Sequence, residues 1–98
     1  MPDLRCILTL PLAGTLEFMV EGVLSRLRMD FPNTIFMTHA NYIIARHNIS
    51  IEFVRRNDGY VDLLFAYPES NDLLATTVYE HLKNIFQMHV PNLRAPFY

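Results

Sequence analysis

Residues 34–67 read as one extended block, because β-branched and aromatic side chains (Ile35, Phe36, Tyr42, Ile43, Ile44, Ile49, Ile51, Phe53, Val54) recur there without helical spacing. Such residues suit a pleated, half-buried surface. Two turn signals divide the block. His47-Asn48 can reverse the chain, and Asn57-Asp58-Gly59 is a strong hairpin signal, since these residue types accept positive φ. A further break near His39-Ala40-Asn41 gives either one long bent strand or two short ones. The last run, Tyr60 to Tyr67, sets Val61, Leu63, Phe65 and Tyr67 on one face and Tyr60, Leu64 and Ala66 on the other, with Asp62 its single charge.

The flanking segments supply one more strand and two helices. Leu4 to Leu10 alternates, with Cys6, Leu8 and Leu10 opposite Arg5, Ile7 and Thr9, and Pro11 ends it. Thr15 is a candidate N-cap, followed at helical spacing by Leu16, Val20, Val23, Leu24, Leu27 and Phe31, until Pro32 and Asn33 close the helix. Gly22 inside it costs about 1 kcal/mol relative to Ala, which suggests close packing on another element. After Pro68, one of Ser70, Asn71 and Asp72 can cap a second helix running to about His89, with Leu74, Val78, Leu82, Ile85 and His89 as its stripe and His81 alongside.

The expected fold is therefore an α+β two-layer sandwich over a single domain, residues 1–98. It has a mainly antiparallel sheet of four to five strands and two helices on one face, in the order β-α-β-β-β-α, ferredoxin-like or related. No helix remains for the other sheet face. Alternation does not say which face the helices cover, so the self-association surface is expected to be the more apolar face of the last strand. It comprises Val61, Leu63, Phe65 and Tyr67, with Ile49 and Ile51 if they share that face, together with Phe97 and Tyr98 of the C-terminal tail. The C-terminal tail, residues 91–98, carries Phe97 and Tyr98 and is expected to dock on the domain or on a neighbouring subunit.

Composition strengthens the case for a partner. With 98 residues, 51% of them hydrophobic and only 18% charged, the chain holds more apolar material than a domain of this size can bury. Intrinsic disorder is excluded. Seven arginines stand against the single Lys83, a bias typical of contact surfaces, and Arg55, Arg56 and Tyr60 are candidate partner contacts. A formal net charge of −2 argues against general nucleic-acid binding. The lone Cys6 cannot form an intramolecular disulfide, which points to a reducing, intracellular compartment. The apolar start, residues 6–13, reads as a strand rather than a signal core, since it lacks a basic leader and contains Pro11. No apolar run approaches the roughly 20 residues of a membrane-spanning helix.

Catalytic patterns are lacking. The histidines pair as His39 with His47 and His81 with His89, each eight residues apart, which on a helix is about 12 Å and too far for one metal ion. Neither a role for them beyond structure nor a cofactor follows from the pattern. Ser25, Ser50 and Ser70 lack a glycine elbow, and Cys6 in a strand has no marked base beside it.

The opening Arg5-Cys6-Ile7, the run into Gly14-Thr15-Leu16-Glu17, the Arg-bearing end of the first helix, Ile51-Glu52, Gly59-Tyr60 and His81-Leu82-Lys83-Asn84 follow one another in a familiar order. In this the chain resembles the family of small proteins encoded by the third open reading frame of adenovirus early region four. The short matches touch most of the chain. It departs from that family in ending at a Pro-rich tail where the family continues into strand-like sequence. The resemblance implies a non-enzymatic viral accessory protein that dimerises, assembles further, and captures host regulatory proteins in the nucleus or cytoplasm. From the residues themselves, the expected function is a non-enzymatic, self-associating protein-interaction module. The alternatives are a ligand-binding or enzymatic domain with a pocket at a subunit interface, and an RNA-binding sheet.

Overall fold

A computed structural model describes residues 3–45 and 48–86. Strand β1 (Asp3–Pro11) leads to helix α1 (Leu16–Asp30), four strands follow, β2 (Phe36–His39), β3 (Tyr42–Ala45), β4 (Ile49–Arg55) and β5 (Tyr60–Pro68), and a short 3-10 turn (Glu69–Asn71) opens helix α2 (Asp72–Phe86). The sheet order is β1-β5-β4-β3-β2, and all four neighbouring pairs are antiparallel. Helix α1 thus carries the chain from one sheet edge to the other, and a meander brings it back beside β1. The likeness to a ferredoxin-like fold lies in its layers, since that fold's split β-α-β unit has no counterpart in this strand order.

Local chemistry explains each element. The Thr15 hydroxyl accepts from the Phe18 N–H at 3.0 Å, capping α1 as its position predicts. The break at Ala40-Asn41 is a hairpin turn, with Ala40 at φ 56°, so the meander has four strands rather than three. Asn41 fastens that turn to β4, its Nδ2 donating to the Phe53 carbonyl at 2.8 Å while its own carbonyl accepts from the Phe53 N–H at 2.9 Å. Gly59, at φ 86°, turns β4 into β5. Asn48, at φ 67°, lies in the connection before β4, and its neighbour His47 falls outside the described residues. The expected end of the second helix at His89 also lies outside them.

Both helices cover one sheet face. Val20, Val23, Leu24 and Leu27 of α1 and Ala75, Val78, Tyr79 and Leu82 of α2 are buried against Cys6, Leu8 and Leu10, the odd-numbered residues from Ile49 to Phe53 and those from Val61 to Tyr67. The Tyr79 ring meets Phe65 edge-on at 5.5 Å, and burial pushes its phenol up to about 12. The Arg28 guanidinium donates to the Phe36 carbonyl at 3.0 and 3.3 Å, tying the end of α1 to β2.

Two expectations are corrected. Ile49, Ile51, Val61, Leu63, Phe65 and Tyr67, assigned to self-association, are each 1% exposed or less and form the centre of the core. The helices take the face whose only strand charge, Arg55, stays exposed at the hairpin end, because burying a carboxylate or guanidinium without a partner costs several kcal/mol. Nothing among the described residues packs closely on Gly22 either: a Cβ built there would meet none of them within 4 Å.

Candidate interaction surface

Antiparallel pairing sets out the helix-free face in rows. Arg5, Ala66, Ser50, Ile44 and Met37 form one row, Ile7, Leu64, Glu52, Tyr42 and His39 the next, and Thr9, Asp62 and Val54 a third. Apolar side chains dominate the first two. Met37 is 62% exposed and Ile44 40%, while Ile7, Tyr42, Leu64 and Ala66 are half-buried. At their centre a shallow cavity of about 180 Å³ is bounded by Arg5, Ile7, Tyr42, Ser50, Glu52 and Leu64. No element among the described residues lies over this face.

Polar groups on the face differ in how they are satisfied. The Thr9 hydroxyl donates to Asp62 Oδ1 at 2.7 Å, joining β1 to β5 from the open side. The same carboxylate receives Arg56 Nη1 at 3.4 Å, and Arg56 Nη2 reaches Asp58 Oδ2 at 2.8 Å across the hairpin. Arg5 and Glu52 make no ion pair among the described residues. They leave one charge of each sign on the rim of the central cavity.

The candidate partner contacts separate. Tyr60, 37% exposed, belongs to the open face, whereas exposed Arg55 has the parity of the covered one, and Arg56 is held by two carboxylates. Phe97 and Tyr98 lie outside the described residues. What sequence reasoning missed was most of the surface itself, Ile7, Met37, Ile44, Val54, Leu64 and Ala66. The available signal was parity: Arg5, Thr9, Ser50, Glu52 and Asp62 all fall on this side, so the opposite side was the one fit for burial.

A second polar cluster joins the helices. Asp30 Oδ2 lies 2.6 Å from His81 Nε2 and accepts from Arg26 Nε at 2.8 Å, while the His81 ring meets Phe31 edge-on at 5.1 Å. The His81 hydrogen bond, aided by Arg26, holds the Asp30 carboxyl below its ordinary range. Among the described residues no nucleophile is joined to this pair: the Thr77 hydroxyl donates to the Leu73 carbonyl and the Thr76 hydroxyl to Asp72. Cys6 is buried, and desolvation pushes its thiol up to about 12, the reverse of an activated nucleophile. Among the described residues no three His, Cys, Asp or Glu side chains gather as a metal site, and no helix is long and apolar enough to cross a membrane.

No family model, curated protein or solved structure matches this chain.

Proposed function

We propose that the chain is a non-enzymatic, self-associating interaction module whose copies meet through the helix-free face of the sheet. One observation carries the reading: half of a five-stranded sheet's surface, with Ile7, Tyr42, Ile44, Leu64 and Met37 on it, has no covering layer among the described residues. Contact between copies related by a two-fold axis needs a self-complementary patch. Arg5 and Glu52, of opposite charge on the rim of one cavity, supply both signs at its centre. The acidic Glu52 and Asp62 on the same face count against RNA as its occupant. Exposed Arg55, at the hairpin end, is the contact we assign to a second protein. The resemblance to the adenovirus family directs that contact to host regulatory proteins.

Light scattering coupled to size-exclusion chromatography tests the self-association. The wild-type chain is expected to run as a dimer or larger species, and Leu64→Asp and Ile44→Asp as monomers with an unchanged far-ultraviolet spectrum. A monomeric wild type, or variants whose mass does not change, overturns the reading.

A further inference from the structure

An apolar cavity of about 360 Å³ opens between the end of β1 (Leu10, Pro11), the first half of α1 (Phe18, Met19, Gly22) and Phe86, the last described residue of α2. Its size and lining suit an apolar occupant. Two large aromatics stand at it uncovered, Phe18 at 69% exposure and Phe86 at 37%. Gly22 contributes bare helix backbone to its wall, with open space where a Cβ would project. Glycine weakens a helix interior, and no positive φ calls for it at this position. Room for an occupant is the use that remains.

We propose that residues 91–98 of the same chain fold back and seat their apolar side chains in this cavity, with Phe97 the principal occupant. Phe86, on the cavity wall, is the last described residue of α2, and residues 87–98 follow it in the sequence, including Val90, Leu93, Ala95, Phe97 and Tyr98. Phe97 stands eleven positions beyond Phe86, a span of up to about 36 Å when extended, so reach does not limit the return. Pro91 and Pro96 have no N–H for an apolar site to leave unpaired. A tether rooted at the cavity also holds its own tail there at an effective concentration of order mM, far above that of a second copy at micromolar chain. The cavity lies on the helix-covered side of the sheet, so the proposal stands apart from the contact surface on the open face.

A nitroxide on Tyr98→Cys tests this in the full-length chain, because buried Cys6, its thiol pushed up to about 12, stays unlabelled. In isotope-labelled chain diluted into unlabelled wild type, the amide signals of Phe18, Met19 and Gly22 are expected to be lost. Loss seen only when nitroxide chain is mixed with separate isotope-labelled chain assigns the cavity to a second copy's tail and overturns the proposal. Retention of those signals in both samples overturns it as well. Gly22→Leu, which fills the cavity, and Phe97→Asp, which removes its occupant without touching the described core, are each expected to restore the signals. Restoration by Phe97→Asp decides the matter if Gly22→Leu fails to fold, and loss that persists in Phe97→Asp refutes the assignment. With the cavity vacated, Phe97→Asp is expected to bind 8-anilinonaphthalene-1-sulfonate, and equal binding by wild type contradicts a filled cavity.

Discussion

Leu63 and Leu64 are sequence neighbours of the same type on opposite faces of β5, so truncating each to alanine measures which face is the core. Leu63 is wholly buried, paired with Leu8 and Phe53 and covered by the helices, whereas Leu64 is half-buried on the open face. Burying leucine in a packed core and then removing it costs about 3 kcal/mol, because the transfer energy is lost and a cavity remains. Leu64→Ala removes atoms that water already reaches in part, and its cost is below about 1 kcal/mol. For a domain of this size each kcal/mol moves the midpoint by roughly 4–8 °C, so Leu63→Ala is expected to melt about 12–24 °C lower and Leu64→Ala within about 8 °C of wild type. Urea unfolding followed by circular dichroism, at a chain concentration low enough to suppress association, gives both values. Equal costs, or the larger cost at Leu64, would refute the assignment of the covered face.

Acid should expose the contribution of the helix–helix polar cluster. The Asp30 carboxyl is held below its unfolded value of 3.8, chiefly by the His81 hydrogen bond, so its stabilisation is present above that pH and is lost as pH falls through the lower folded value. Asp30→Asn should therefore be less stable than wild type near neutrality, with the difference shrinking below pH 3.8 in urea titrations; a constant difference contradicts the linkage. Cys6 should resist a thiol-reactive disulfide reagent at pH 8 in the native chain and react promptly in denaturant, as its burial and its thiol, raised to about 12, require. Rapid native reaction would place it at the surface. Thr15→Ala should cost about 1 kcal/mol by removing the acceptor for the Phe18 N–H, read as a lower urea midpoint with unchanged slope.

Much of the architecture was legible along the chain because it depends on neighbours in sequence. Thr15 as cap, the stripe Val20, Val23, Leu24 and Leu27, the turn at Gly59 and the two-residue alternation of β1 and β5 are local facts, decided by backbone geometry and side-chain period. Tyr79 lies outside the stripe read for the second helix, yet it is wholly buried, because Phe65 sits beneath it in the folded sheet. The candidate surface was half legible. Alternation separates Leu63 from Leu64, but which of them meets the helices depends on how α1 and α2 lie after the sheet has formed. The structure brings Arg5, Thr9, Ser50, Glu52 and Asp62 onto one side through pairings distant in sequence, such as Ser50 with Ala66, 16 residues apart, and Arg5 with Ala66, 61 apart. Once those charges share a face, only the opposite face can be dried at acceptable cost, so desolvation, a property of the assembled sheet, chose the core.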